Sequence, residues 1–468
     1  MALQTEPSKQ GFANQYCADL LETIGNTPMV ELKHFDTGLC RLFVKLENQN
    51  PGGSIKDRIG LSMILAAEAE GKLKPGGTLV EATAGNTGLG LALVAASRGY
   101  RLILVIPDKM AQEKVFHLKA LGAEVRMTRS DVVKGHPEYY QDMAEGIASE
   151  IPGAFYVNQF ANPANPRAHE ETTGPEIWEQ MSHDLDAVVC GVGSGGTITG
   201  LGRYFQRVAP HVSMILADPE GSILAPYIET GHLGEAGSWA VEGIGEDFIP
   251  SLSDLSLVRE AFTVSDTESF HTARELLLRE GILAGSSSGT LVAAALRYCR
   301  RQSESKRVVT FICDSGNKYL TKMYNDYWML DQGYLQRENH GDLRDLISRR
   351  HDKGGTTTVG PKDTLLTAYN RMRITDVSQL PVLAGGKVVG IVDESDILLA
   401  VYNRDGRFAD PVHSAMTARI ETLKADASID ALLPIFDQGY VAIIMDGESF
   451  LGLITRIDLL NYLRRQTR

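Results

Sequence analysis

No apolar run in this 468-residue chain approaches the roughly 20 residues that a helix needs to cross a bilayer. Its N-terminus lacks the basic-then-apolar pattern of a secretory leader. Cysteine is sparse: Cys17, Cys40, Cys190, Cys299 and Cys313 are odd in number, scattered and never spaced C-x-x-C. That usage fits a reducing compartment, with neither a disulfide framework nor a zinc site. A basic excess is missing too. The formal charge of −13 leaves nothing to neutralise the phosphates of a nucleic acid and gives solubility instead. These absences predict a cytoplasmic protein with no membrane or nucleic-acid partner and no bound metal. What is there is an ordinary globular composition, 43% apolar and 22% charged, with room for about three domains.

Residues 1–20 are polar and mixed and read as a short arm. From Leu42 to about Leu320, short runs rich in Val, Ile and Leu alternate with longer helical patterns. The expected strands are Leu42–Leu46, Thr78–Glu81, Arg101–Ile106, Glu124–Met127, Ala154–Asn158, Ala187–Cys190, Ser213–Ala217 and Val308–Ile312. Such alternation predicts βαβ units around parallel sheet, an α/β fold whose ligands sit outside the carboxyl ends of the strands. Residues 21–330 form this body, and the polar stretch 331–355 reads as a linker with one helical piece near Asp342–Ser348. Beyond it the chain repeats itself. Gly390-Ile391-Val392-Asp393-Glu394-Ser395-Asp396 returns as Gly452-Leu453-Ile454-Thr455-Arg456-Ile457-Asp458. A period of about 60 residues over two copies predicts a pair of small α+β domains, at 356–408 and 409–468, rather than a solenoid.

Four segments at predicted strand ends carry the chemistry. In Gly52-Gly53-Ser54-Ile55-Lys56-Asp57-Arg58, Lys56 falls in the first turn of a helix, where the macrodipole disfavours an ammonium by up to about 1 kcal/mol. A lysine there, behind flexible glycines, is a candidate Schiff-base nucleophile, and a solvated helix start is the plainer alternative. Thr83-Ala84-Gly85-Asn86-Thr87-Gly88 offers hydroxyl, amide and backbone N–H groups to a small anion, although an N-cap needs no more than one of them. Gly191-Val192-Gly193-Ser194-Gly195-Gly196-Thr197 can curl its backbone around one phosphate, and its spacing departs from a dinucleotide fingerprint. Gly285-Ser286-Ser287-Ser288-Gly289 is a hydroxyl-rich turn that could equally be a helix cap. An imine lysine, a phosphate grip and a partner for a ring nitrogen are together what pyridoxal phosphate requires.

These segments resemble the lysine, asparagine and phosphate loops of the fold type II pyridoxal-phosphate enzymes. Thr23-Ile24-Gly25-Asn26-Thr27-Pro28, Asp218-Pro219-Glu220-Gly221-Ser222 and Val241-Glu242-Gly243-Ile244-Gly245-Glu246-Asp247-Phe248 resemble the cystathionine β-synthase family within them. The C-terminal repeat resembles the paired regulatory domains named after that family. The resemblance implies two parallel-sheet α/β subdomains like those of the tryptophan synthase β chain, followed by a pair of CBS domains. It implies that Lys56 carries pyridoxal 5′-phosphate as an imine, that Asn86 bonds the cofactor's 3′ oxygen, and that Gly193, Ser194, Gly195, Gly196 and Thr197 hold its phosphate. Ser287 would face the pyridine nitrogen. A hydroxyl there does not keep that nitrogen protonated, so the ring is a weaker electron sink and elimination at Cβ competes well with transamination. Thr83, Ala84, Asn86, Thr87 and Gln159 would bind the substrate carboxylate, with Gly243 and Glu246 near the mouth.

The implied reaction condenses L-serine with L-homocysteine to L-cystathionine and water, with sulfide formation from cysteine or homocysteine as a related outcome. Ala84 stands where family members often carry serine, which removes one hydroxyl contact to the carboxylate. Glu246 stands where the animal enzymes have tyrosine, and it reads either as a partner for a cationic amino group or as a solvated acid. The short arm has no room for a haem-binding extension, and Cys17 without an upstream histidine is no haem site, so no haem is expected. In the second repeat Thr455 and Asp458 suit the ribose and phosphate of an adenosyl ligand, whereas Asp393 stands at the threonine's place in the first and would repel a phosphate. A pair that only holds protomers together is the alternative, and two self-pairing modules point to a homodimer or homotetramer. Two rival functions stay open: a cysteine synthase using O-acetylserine and sulfide, and a ligand-sensing scaffold with spent chemistry.

Overall fold

The computed structural model describes residues 16–83, 85–108, 112–132, 135–336, 338–402 and 407–466. The chain divides into two compact units, the first ending at Tyr324 and the second beginning at Asn325.

Among the described residues the first unit holds ten strands: β1 Met29–Glu31, β2 Arg41–Lys45, β3 Thr78–Ala82, β4 Arg101–Pro107, β5 Glu124–Thr128, β6 Phe155–Tyr156, β7 Ala187–Cys190, β8 Ser213–Pro219, β9 Val258–Val264 and β10 Arg307–Phe311. They form two sheets, one ordered β1-β2-β10-β7-β8-β9 and the other β5-β4-β3-β6. Every pairing is parallel except β1 with β2. In β4 and β8 every residue after the first is buried, as expected of strands covered by helices on both faces. All eight strands expected from sequence are present. The two that sequence misses are edge strands. β1 spans three residues, and β9 mixes Arg259, Glu260 and Thr263 with its apolar residues, with Glu260 paired to Arg301 at 2.6 Å.

Strand order decides where the loops meet. Because β2, β10 and β7 are neighbours in one sheet, the lysine loop, the turn Cys313-Asp314-Ser315 and the Gly191 loop leave its carboxyl edge side by side. β3 delivers Thr83–Thr87 from the second sheet.

In the second unit, the first repeat has a helix Leu365–Thr375, an antiparallel pair Gln379–Ala384 and Lys387–Asp393, and a helix Glu394–Val401. The second has Glu421–Lys424, Ala442–Asp446 and Ser449–Ile454 in one sheet, closed by a helix Arg456–Gln466. Within 331–355, read from sequence as a linker, Leu343, Leu346 and Ile347 are at most 2% exposed and lie in one core with Leu432, Ile444 and Ile454. This stretch is therefore part of the second repeat's packing. Its polar composition hid three apolar anchors on a single 3-10 turn, Leu343–Leu346 and the residue after it.

Candidate active site

The helix Lys56–Ala69 begins at the lysine itself, with no side chain capping it. Its start is anchored from behind. The Arg58 guanidinium, 2% exposed, bonds Glu47 at 2.7 Å and Glu176 at 2.6 Å, and Lys45 reaches the same Glu176 oxygen at 2.9 Å. Burial works against ionised Glu176, but the Arg58 and Lys45 bonds hold its carboxyl down at about 2. Such a closed set of buried charges fixes geometry more surely than it adds stability.

Lys56 opens into a pocket it shares with Asn86, Gly193, Gly195, Thr197 and Ser287. Burial of its amine pulls the Lys56 pKa down against the pull of Cys313, Glu246 and Asp314, which favours the neutral nucleophile. The helix Gly196–Val208 starts from Gly195 at φ +84° with no side-chain cap, and Gly195, Gly196 and Thr197 line the pocket, so the first turn can offer its N–H groups to an anion there. The loop has no space for side chains. A Cβ at Gly195 would lie 1.9 Å from Ser253 Oγ, one at Gly196 1.9 Å from Asn165 Oδ1, and one at Gly193 2.7 Å from the Gly243 carbonyl oxygen. An uncapped helix start, a bare glycine cradle and an amine shifted towards its neutral form share one pocket and fit the phosphate and aldehyde of pyridoxal phosphate.

The three serines separate by their bonds. Helix Ser286–Arg300 begins four residues earlier than the sequence reading of about Thr290. Ser286 Oγ accepts the Glu242 N–H at 3.0 Å, and Ser288 Oγ accepts that of Cys313 at 2.9 Å. Only Ser287 of the three lines the pocket.

Thr87 Oγ1 donates to Gln159 Oε1 at 2.7 Å, so two of the expected carboxylate-binding residues meet. Thr83 Oγ1 accepts the Gly85 N–H at 3.3 Å. Ala84, expected in the same loop, lies outside the described residues. Gly243 lines the pocket. Glu246 is not among the lining residues, yet it acts electrostatically on Lys56. Burial, then Asp247, push its carboxyl up to about 8, so near neutral pH it is largely protonated.

Several groups went unread in the sequence. Asp314 and Lys318 hold Asn86, itself expected from sequence, on both sides: the Asn86 amide donates to Asp314 Oδ2 at 2.8 Å and accepts from Lys318 Nζ at 2.6 Å. Lys114 and Lys322 both pair with Glu242. Glu81, fully buried at the end of β3, accepts the N–H groups of Ala82 at 3.0 Å and Gln159 at 3.2 Å. Each lies far in sequence from at least one partner and carries no motif of its own.

Burial pushes Glu81 up to about 8, against the backbone N–H groups that pull it down. A carboxyl whose folded pKa is raised favours folding below its unfolded pKa and loses that contribution as pH climbs through the folded value. The expected outcome is that Glu81→Gln removes this loss: between about pH 4.5 and 8 the stability of the parent protein falls relative to the variant by up to about 1.4 kcal/mol per pH unit. Urea unfolding across that range checks it, and parallel curves for the two proteins would contradict it.

In the second unit a cavity of about 630 Å³ is lined by Tyr327, Trp328, Arg349, Asp376, Thr455 and Asp458 among others. Thr455 donates to Asp458 through both N–H, at 2.8 Å, and Oγ1, at 2.5 Å, and Ser348 bonds the other Asp458 oxygen. In the first repeat Asp393 is spent as a helix cap, in a reciprocal capping box with Asp396.

Residues 20–314 match the family model of the pyridoxal-phosphate dependent enzymes, and residues 344–403 and 412–465 match that of the CBS domain. The chain is 34% identical to a cystathionine beta-synthase of Apis mellifera over 98% of this chain and 93% of that protein. It is 40% identical to cysteine synthase 1 of Emericella nidulans, which covers 69% of this chain and 88% of that protein. Among solved structures, an O-acetylserine dependent cystathionine beta-synthase from Helicobacter pylori is 37% identical, with a TM-score of 0.61 over 66% of this chain and 98% of that one. No helix among the described residues is long and apolar enough to cross a membrane.

Proposed function

The chain belongs to the pyridoxal-phosphate-dependent enzymes, and on that premise we propose that it joins L-serine to L-homocysteine, giving L-cystathionine and water. The coarser activity, β-replacement in sulfur amino-acid metabolism, comes with the family and its relatives. Bound pyridoxal phosphate supplies the electron sink that acidifies the substrate's Cα–H and lets the β substituent leave.

The chain's own residues do the rest. Lys56, whose pKa burial pulls down, takes the proton from Cα and later returns it. Thr83, Asn86, Thr87 and Gln159 hold the amino-acid carboxylate and so orient the Cα–H bond towards that amine. The Lys318 and Asp314 contacts keep the Asn86 amide in one orientation. Ser287 meets the ring nitrogen as a neutral partner. Glu246, half-buried and with its carboxyl pushed up to about 8, offers a donor at the mouth where homocysteine enters.

The single observation that carries the choice of substrates is length. The likeness to cystathionine beta-synthase runs through the tandem C-terminal domains, while that to cysteine synthase 1 covers 69% of the chain. The test is a direct comparison of turnover. Serine plus homocysteine is expected to outpace O-acetylserine plus sulfide in kcat/KM, and the reverse order would make the chain a cysteine synthase.

The Thr455–Asp458 site of the second repeat takes an adenosyl ligand, with Asp458 released from Thr455 to meet the ribose hydroxyls. Calorimetry with S-adenosylmethionine should show saturable binding that Asp458→Ala weakens by about tenfold or more, the worth of charge-assisted hydrogen bonds. Equal binding by the two proteins would move the site elsewhere.

A further inference from the structure

His169 belongs to no motif read from the sequence, is fully buried, and is so far without a role in the reaction. It opens a π-helical turn, His169–Thr173, between two short α-helices, and such turns recur at functional sites. The turn reaches both halves of the pocket. Thr172 Oγ1 lies 3.0 Å from Arg58 Nη1, two residues past Lys56. His169 Nε2 lies 3.2 Å from Thr197 Oγ1, and its Nδ1 3.0 Å from Thr173 Oγ1. The approach depends on a glycine on the facing helix. A Cβ at Gly200 would fall 2.2 Å from the Pro166 carbonyl oxygen and 2.8 Å from His169 Cβ.

Burial above all holds the imidazole well below its usual range, on the neutral side. A neutral ring has one donor and one acceptor nitrogen. The Thr197 hydroxyl has one proton. Were Nε2 the acceptor, that proton would be spent on the imidazole and lost to an anion in the loop.

We propose that His169 is a positioning residue for the cofactor's phosphate: as the Nε2–H tautomer it donates to Thr197 Oγ1 and turns the Thr197 proton into the glycine cradle. Nδ1 then accepts the proton of the Thr173 hydroxyl, 3.0 Å away. The inference rests on the reading of Gly193–Thr197 as the phosphate grip.

The test uses the full-length chain and pyridoxine 5′-phosphate, which has no aldehyde and reports the grip apart from the lysine bond. His169→Gln places an amide N–H near the position of Nε2, whereas His169→Asn places it near that of Nδ1. His169→Asn is expected to raise the dissociation constant by about tenfold or more, and His169→Gln by less than about threefold. In a Thr197→Val background the asparagine penalty should shrink below about twofold, because the hydroxyl it acts through is gone. Equal penalties for Gln and Asn, or an undiminished penalty without the hydroxyl, would reduce His169 to a packing residue. Binding unchanged in Thr197→Val alone would instead overturn the phosphate-grip reading itself. Should the asparagine variant fail to fold, nitrogen-15 spectra of the unsubstituted enzyme, assigned with His169→Gln, decide the matter. A protonated Nε2 supports the proposal, and a protonated Nδ1 overturns it.

Discussion

Lys56→Ala abolishes turnover, by at least about a thousandfold, and removes the visible absorbance that a lysine-bound pyridoxal phosphate gives the protein. Two losses combine in this one substitution. The covalent tie to the cofactor disappears, and so does the base that moves the Cα proton, a contribution of about 10²–10⁴ by itself. The neighbouring amines are poor substitutes: Lys114 pairs with Glu242 and Lys318 with Asn86, so neither is a free nucleophile at the Gly195 cradle. The fold should survive, because the anchor of this helix is the bond set of Arg58 rather than the lysine. Steady-state assays with an absorbance spectrum check both parts, and a yellow, active alanine variant would remove the mechanism.

Gly196→Ala is the second large effect. The new methyl would lie 1.9 Å from Asn165 Oδ1, far inside van der Waals contact. Asn165 has little freedom to yield, since its amide nitrogen bonds the Gln159 carbonyl at 2.8 Å and Ser194 Oγ at 2.9 Å. Relief must come from moving the loop, at a cost of about 1–3 kcal/mol, and the loop is what grips the phosphate. The dissociation constant for pyridoxal phosphate is expected to rise by about ten- to a hundredfold, and saturating cofactor should restore most of the rate. Gly146→Ala is the control. It lies in the helix Tyr140–Glu150 with nothing within 4 Å of its Cβ, so affinity there should stay within experimental error. Equal behaviour of the two variants would mean that the cradle is not the cofactor's.

What sequence made legible follows from how each feature is encoded. Parallel strands buried on both faces announce themselves as apolar runs, and glycine loops at their ends are local strings, so the α/β alternation and the four loops could be read directly. Edge strands such as β9 mix charge with apolar residues and fade from view. Three serines read as a cap, which sets the start of the Ser286 helix too late, whereas in the folded chain Ser286 and Ser288 are taken up by backbone groups of Glu242 and Cys313. His169, Lys318 and Glu81 act through partners 28, 232 and 78 residues away. Nothing local in a sequence marks such pairs.

Reductive trapping tests the central claim most directly. Borohydride treatment of the yellow protein, followed by proteolysis and mass spectrometry, should find the phosphopyridoxyl group on the peptide containing Lys56 and nowhere else. The group on Lys114, Lys318 or any other lysine, with Lys56 unmodified, would contradict the account.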